Sequence, residues 1–170
     1  DLAEKSLVGI YLIQDGVFRY GNPRFTEIFG YTLEEVTDKM GPEHMVFYED
    51  WPEVRENISR RIVGTADSIH YEFRGITKNR EVINVEVYGS RTIYRNRPAV
   101  IGTLLDITNR KKMEKLLIET EEKYRDIFEN AVEGIFQATV KGTFIVANQA
   151  LVKMLGYHSA DELKTSVAYR

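Results

Sequence analysis

A segment that occurs twice limits what this chain can fold into more than any other feature of its sequence. Asn22 suits the residue that caps the start of a helix, and Pro23 suits the first helical position. Gly30 then suits the left-handed residue that ends a helix. The Asn and the Gly return as Asn148 and Gly156, about 126 positions later. Because this period is much longer than the roughly 20–50 residues of solenoid repeats, it predicts tandem domains.

Each copy continues into the start of a second helix. Thr32 with Glu35, and Ser159 with Glu162, have the spacing of a capping box, in which two residues satisfy each other's exposed backbone N–H groups. A chain of 170 residues with a repeat at this distance has room for one complete domain and the front part of a second. We therefore expect a fragment of a longer protein.

The order of the strand and helix patterns indicates the fold class. After a short amphipathic helix over residues 1–8, two strand patterns are joined by the Asp15-Gly16 turn. Short helices follow, and a longer helix over residues 50–63 has Asp50 as its expected N-cap. Three more strand patterns cover residues 69–73, 83–88 and 99–107. Strands and helices segregated in this way favour an α+β fold, an antiparallel sheet with helices over one face.

The composition excludes several kinds of chemistry. The chain has no cysteine, which excludes disulfides, thiolate catalysis and cysteine-ligated metals. A net charge of −3 gives no strong attraction to nucleic acid or anionic lipid. The longest apolar run, residues 7–13, is about a third of the ~20 residues that a membrane helix needs. We expect a cytoplasmic fragment with no nucleic-acid partner and no membrane contact, and an anchor elsewhere in the longer protein remains open.

A helical segment separates the two copies of the repeat, and its apolar residues have heptad spacing over about three heptads. The spacing predicts a coiled coil between two copies of the chain. Because Thr120 is a weak core residue, a single connecting helix remains the alternative. The seam consists of Met113, Leu117, Thr120, Tyr124, Ile127 and Ala131.

The start of this helix carries a run of cations, Arg110, Lys111 and Lys112. Cations in a first turn oppose the helix dipole, each by roughly 0.3–1 kcal/mol. Asp106 lies just upstream and would offset part of this cost. The run lacks interleaved aromatic residues, so it indicates a helix start rather than a nucleic-acid patch.

In this order, the motifs resemble those of the PAS family, the sensory domains of bacterial and archaeal signalling proteins. The resemblance implies a five-stranded antiparallel sheet with helices over one face, a small-molecule cavity between them, and a connecting helix. It also implies a complete PAS domain over residues 1–108, a linker helix over 109–124, and the N-terminal part of a second PAS domain over 125–170. The motifs are Gly9-Ile10-Tyr11, Asn22 with Phe25, Gly30-Tyr31 before Glu34-Glu35, Glu49-Asp50-Trp51, Tyr71-Glu72-Phe73-Arg74, residues 98–102, and Asp106-Ile107-Thr108 before Arg110.

Members of this family hold haem, flavin, a small organic acid or nothing in that cavity. Haem-type relatives place an axial histidine on the long helix, but residues 50–63 contain none, and His44 and His70 suit an ordinary loop and surface. A covalent flavin adduct requires the cysteine that this chain lacks. The resemblance therefore leaves non-covalent FAD, a small organic ligand or an empty cavity. The spacing of the three histidines predicts no metal site.

A group of aromatic and polar side chains forms the candidate cavity wall. Two interpretations remain open: the aromatic residues pack as a plain core together with Phe18, or some of them line a ligand pocket. In the second case, Arg74 or Asn84 would supply a polar anchor. The candidates are Tyr11, Tyr20, Phe25, Phe29, Tyr71, Phe73, Arg74 and Asn84.

The resemblance implies a sensory and dimerisation module of a signal-transduction protein, a sensor histidine kinase of a two-component phosphorelay. A signal in the cavity would pass through the junction Asp106-Ile107-Thr108 to the linker helix. We expect a homodimer formed through the N-terminal or linker helix, an output domain in the same longer chain, and no enzymatic activity in the fragment, because no catalytic arrangement of residues stands out. A ligand-free interaction module and the input module of a diguanylate cyclase remain alternatives.

Overall fold

The computed structural model describes residues 7–167, so most of the helix predicted over residues 1–8 lies outside the described part. The chain divides into two units, Asp1–Lys112 and Met113–Arg170. The elements of the first unit are β1 (Gly9–Gln14), β2 (Val17–Gly21), α1 (Pro23–Phe29), α2 (Leu33–Val36), a 3₁₀ turn (Pro42–His44), α3 (Trp51–Val63), β3 (Ser68–Ile76), β4 (Val82–Tyr94) and β5 (Arg97–Asp106). They are followed by α4 (Thr108–Asn130), β6 (Phe136–Ala138), β7 (Phe144–Ala147), α5 (Gln149–Met154) and α6 (Ala160–Val167).

The first unit is built on one five-stranded sheet in the order β2-β1-β5-β4-β3. All four strand pairs are antiparallel. Helix α1 packs on β1, and α3 packs on β5 and β3. The predicted α+β fold, with an antiparallel sheet and helices over one face, is confirmed.

The β4–β5 hairpin is longer than the sequence pattern indicated. Arg95 and Asn96 both have positive φ, 48° and 59°, so they form a two-residue turn that matches the twist of the strands. The two strands therefore pair up to Tyr94 and Arg97. The sequence prediction began the last strand only at Ala99, because Pro98 normally interrupts a strand.

Four aromatic rings form the centre of the core in the first unit. The ring of Phe25 lies 4.9 Å from that of Phe18, 5.7 Å from that of Phe29 and 5.8 Å from that of Tyr11. Phe25 and Phe29 point inward from α1, Tyr11 from β1 and Phe18 from β2. Because each fully buried Phe contributes roughly 1.5–3 kcal/mol, these rings fix α1 against the sheet.

Asn22 caps α1, as predicted, and also ties this helix to β1. Its Oδ1 accepts the backbone N–H groups of Phe25 at 3.0 Å and of Ile10 at 2.8 Å. Its Nδ2 donates to the carbonyl of Val8 at 3.1 Å. The side chain is fully buried, so these partners replace water entirely.

Asn148 makes the same set of contacts in the second unit. Its Oδ1 accepts the N–H groups of Leu151 at 3.0 Å and of Ile135 at 2.9 Å, and its Nδ2 donates to the carbonyl of Glu133 at 2.9 Å. The repeat in the sequence is therefore a repeat of one hydrogen-bonded corner.

The predicted capping box forms fully in the first copy and in a modified form in the second. Thr32 and Glu35 cap α2 reciprocally. Ser159 Oγ accepts the N–H of Glu162, but the Glu162 carboxylate reaches the N–H of His158 instead of that of Ser159. The inserted residue His158 thus takes part in the second cap.

Asp50 does not cap α3 with its side chain, contrary to the sequence prediction. Its carboxylate instead accepts the backbone N–H of Arg74 at 2.7 Å and pairs with the Arg74 guanidinium at 2.5 Å. A charged partner outcompetes the weaker backbone donors of the first helical turn.

Helix α4 extends from Thr108 to Asn130, farther than the 109–124 predicted for the linker helix. The seam residues Met113, Leu117, Tyr124 and Ile127 are exposed on it. Pairing of this face with a second copy stays a prediction.

Candidate functional site

A small cavity lies between the helices and the sheet of the first unit, with a volume of about 30 Å³. This volume is on the scale of two or three water molecules, since a water needs roughly 10–15 Å³ of such space. Five of the predicted candidates lie on its wall: Tyr11, Phe25, Phe29, Tyr71 and Phe73. The remaining wall residues are Ile13, Phe18, Pro42, Met45, Val46, Val54, Ile58, Val87 and Leu104.

The other three candidates lie away from this wall. Tyr20 is 43% exposed on β2. Asn84 lies between the buried residues Ile83 and Val85 on β4, so it points to the opposite face of the sheet. The guanidinium of Arg74 binds carboxylates outside the cavity.

Arg74 on β3 binds the loop that precedes α3, residues 47–50. Its guanidinium pairs with Asp50 and, at 2.9 Å, with Glu49, and it lies 4.6 Å from the centre of the Phe47 ring. The hydrogen bond from Arg74 is the main cause that lowers the pKa of Asp50. These contacts give Arg74 a structural role outside the cavity.

Arg61 of α3 is a buried cation next to the two tyrosines of the cavity wall, and no sequence pattern predicts this position for it. Its side chain is 0% exposed, and no carboxylate pairs with it anywhere in residues 7–167. Nε donates to the Asn57 carbonyl at 2.8 Å, and Nη2 reaches the Tyr71 hydroxyl at 3.4 Å. Nη1 is buried and has no hydrogen-bond partner. Buried charges are normally paired, so this guanidinium is an exception that calls for a physical reason.

Two glycines make room for the Arg61 head group. Gly89 and Gly102 face each other across β4 and β5, and both are buried. A Cβ on Gly89 would collide with Nη1 of Arg61, and a Cβ on Gly102 would lie 2.5 Å from the Tyr11 hydroxyl oxygen. The gap in the sheet face is therefore filled by a guanidinium and a phenol.

The Tyr11 hydroxyl stays protonated in this setting. The pKa of Tyr11 is raised to about 12, mainly by burial and secondly by the neighbouring Tyr71 phenol, while Arg61 acts in the opposite direction. Burial also raises the pKa of Tyr71, and the charge of Arg61 lowers it in part. Two neutral hydroxyls thus lie beside one cation, and each hydroxyl can accept from the cation and donate elsewhere.

The predicted signal junction is held directly by β4. Asn84 on that strand accepts the N–H of Ile107 at 2.9 Å and donates its own N–H to the Thr108 hydroxyl at 2.8 Å. Asp106 Oδ1 accepts the Thr108 N–H at 2.9 Å, and the Ile107 side chain is only 2% exposed. The end of β5 and the beginning of α4 are therefore in register with β4.

Carboxylates on β3 and β4 neutralise the cations at the start of α4. Arg110 lies 3.4 Å from Glu72 and 3.5 Å from Glu86, and Lys111 pairs with Glu72. His70, 3.0 Å from Glu86, is the main cause that lowers the pKa of Glu86, and Arg110 adds to it. The sequence pointed to Asp106 as the offsetting charge, but Glu72 and Glu86 make the direct ion pairs.

Comparison with known proteins identifies the family. A PAS fold model matches residues 18–104, and a PAS domain model matches residues 122–169. This chain belongs to the PAS family. The two matches also confirm a PAS domain followed by part of a second one.

Two curated relatives are kinases of Bacillus subtilis (strain 168). Sporulation kinase A is 26% identical over 81 residues, which are 48% of this chain and 13% of the kinase. Sporulation kinase E is 41% identical over 54 residues, which are 32% of this chain and 7% of the kinase. The PAS chain thus spans only a small part of the length of these relatives.

Solved PAS structures share the fold at low sequence identity. A PAS domain from Colwellia psychrerythraea has a TM-score of 0.56 and 14% identity, with 63% of this chain and 92% of that chain covered. A sensory box histidine kinase/response regulator from Burkholderia thailandensis has a TM-score of 0.53 and 22% identity, with 70% and 91% covered. Together with the curated relatives, these matches show similarity to the PAS domains of sensor histidine kinases.

Residues 7–167 contain no group of three or more His, Asp or Glu side chains arranged to hold a metal ion. No helix in the same range combines the length and the apolar character needed to cross a bilayer.

Proposed function

We propose that this chain is the sensory and dimerisation module of a multidomain sensor histidine kinase, and that its signal passes through Asp106-Ile107-Thr108 to α4. The observation that carries the proposal is the double backbone contact of Asn84 with Ile107 and Thr108. Val87, three residues along the same strand, lies on the cavity wall. If a signal in the cavity shifted β4, the first residues of α4 would therefore move with it.

The ion pairs at the helix start support the same route. Glu72 and Glu86 hold Arg110 and Lys111 from two neighbouring strands, so the first turn of α4 depends on the relative position of β3 and β4. Single surface pairs contribute only about 0–1 kcal/mol each. Couplings between sites are typically about 1–3 kcal/mol, so a few such contacts are enough to bias a helix start.

Dimerisation through α4 belongs to the same proposal. The exposed heptad seam would form the contact between two copies, and an output domain would follow in the same longer chain. The fragment itself would be catalytically silent, and the kinase activity would belong to the output domain.

The size of the cavity favours one alternative, a PAS module that binds partners and no ligand. Ligand pockets are usually about 300–1,000 Å³, whereas this cavity is about 30 Å³. In that case, the module would mediate protein contacts only, and its core would be filled by its own aromatic residues.

The proposed route predicts the behaviour of Asp106→Ala in the full-length protein. The variant removes the acceptor of the Thr108 N–H, which costs about 1 kcal/mol but leaves the core intact. We expect a folded protein whose autophosphorylation no longer changes between the conditions that switch the wild type on and off. The control is Asp67→Ala, which replaces an exposed aspartate just before β3, away from the junction, and should keep regulation. Normal regulation in Asp106→Ala would rule out the junction as the route.

A further inference from the structure

We propose that Arg61 binds the carboxylate of a small monocarboxylate whose short apolar part occupies the cavity. This inference rests on the proposed sensory function and names the chemical class of the ligand. Nothing in the family matches assigns a ligand to this chain, and the inference comes from the buried and unpaired state of one guanidinium.

The charge of Arg61 is the first reason. A buried lysine or histidine can lose its proton to avoid the cost of desolvation, but arginine stays charged in proteins. An isolated buried charge is strongly unfavourable, and native proteins pair such charges. Within the described residues, the side chain has a carbonyl and a hydroxyl as acceptors and no anion. A bound anion would supply the missing countercharge.

The geometry of the donors is the second reason. The two N–H groups on Nη1 lack an acceptor, and Nη2 is shared with the Tyr71 hydroxyl at 3.4 Å, a long contact. The Tyr11 hydroxyl lies on the same side, because its oxygen is 3.3 Å from the position of a Cβ on Gly89 that also meets Nη1. A planar guanidinium next to two phenolic O–H groups matches a planar carboxylate, which accepts from both kinds of donor.

Arg61 is not itself on the cavity wall, but it lies directly behind the two tyrosines of the wall. Val54 and Ile58 of α3 line the cavity, and Arg61 follows them at helical spacing on the same face. The rings of Tyr11 and Tyr71 also line the cavity, while the Tyr71 hydroxyl contacts Nη2 at 3.4 Å and the Tyr11 hydroxyl lies beside the guanidinium. A ligand with its carboxylate at Arg61 would therefore place its apolar end among these side chains.

The rest of the wall selects a short ligand without a second charge. The wall is aliphatic and aromatic apart from the two tyrosine hydroxyls, so a second carboxylate would have no partner in it. The volume of about 30 Å³ suits only a few heavy atoms before neighbouring side chains have to move. Met45, which also lines the cavity, has a flexible side chain that can yield to a slightly longer chain.

The test uses the 170-residue chain and matched pairs of small molecules. Acetate, propionate and butyrate are titrated against acetamide, propionamide and butyramide, with sodium chloride keeping the ionic strength constant. We expect the melting temperature to rise and saturate with at least one carboxylate, while its amide, which has the same shape and no charge, leaves it unchanged. The Kd from these titrations is compared among variants.

Arg61→Met keeps the length of the side chain and removes the charge. We expect the Kd of the best carboxylate to rise at least about 10-fold, as for the loss of a charge-assisted hydrogen bond. Arg60→Met changes the exposed neighbouring arginine of the same helix turn and should leave the Kd unchanged. If Arg61→Met does not fold, Tyr71→Phe removes only one hydroxyl and should still raise the Kd several-fold.

Three outcomes would overturn the proposal: equal effects of carboxylates and amides, equal effects of chloride and carboxylates, or the same Kd in Arg61→Met and the wild type. These results are separable from a failure of the sensory function. Carboxylate binding to this chain together with normal regulation in Asp106→Ala would contradict the junction and keep the ligand class. Loss of regulation in Asp106→Ala without any carboxylate binding would support the junction as the signal route and contradict the proposed ligand class.

Discussion

A single asparagine side chain joins helix to strand in each unit, and its two functional groups contribute differently. Asn22 uses Oδ1 as a helix cap and as the partner of Ile10, and it uses Nδ2 to bind Val8. We expect Asn22→Ala to lower the free energy of unfolding by about 2–3 kcal/mol, because it leaves buried backbone groups unpaired. Asn22→Asp keeps the acceptor and loses the donor. Chemical denaturation that gives the same stability for wild type and Asn22→Ala would refute this role.

At this scale, the sequence predicts caps and aromatic core residues better than it predicts the polar residue near the cavity. Asn22, Tyr71 and Phe73 lie where their patterns place them, because capping and strand alternation are local rules. Arg61 was missed, since an arginine in a helix normally indicates an exposed face. The signal for it lies in Gly89 and Gly102, which become neighbours only through the register of two strands.

The first turn of α4 is an element whose stability depends on charges from two strands. Because its partners lower the pKa of Glu86, this carboxylate stabilises the junction at pH values above the ordinary glutamate pKa of about 4.3. The contribution is lost as the pH falls through the lowered pKa, when the carboxylate takes up a proton. We expect the helical NMR shifts of Arg110 and Lys111 to stay constant from pH 6 down to about the ordinary glutamate pKa of 4.3 and to weaken below it.

Glu86→Gln tests the origin of this dependence, because it removes the charge and keeps the shape. The variant should show weakened helical shifts of Arg110 already at pH 6 and little further change on acidification. Glu56→Gln, on the exposed face of α3, should behave like the wild type. A wild-type pH profile in Glu86→Gln would assign the effect to another group, of which Glu72 and His70 are the nearest.

At the scale of the whole molecule, order and spacing in the sequence predict more than any single residue does. The five-stranded sheet and the duplicated asparagine corner follow from patterns that recur along the chain. The length of α4 follows from the heptad spacing, which continues to Ala131 next to the observed end at Asn130, whereas the linker boundary at 124 that the family resemblance implies is too short. The sequence does not decide whether two copies of the chain pair through α4, because the same exposed seam suits a coiled coil or a single connecting helix.

Two substitutions one residue apart distinguish those states. Leu117 lies on the heptad seam, and Ile118 lies beside it, outside the seam; both are exposed in the single chain. If two copies pair through the seam, Leu117→Glu places two like charges in an apolar contact and should weaken the dimer at least about 100-fold. Ile118→Glu adds the same charge where it stays in water, so the dimer should persist. Sedimentation velocity over a concentration series measures both, and identical behaviour of the two variants would show that α4 does not pair through this seam.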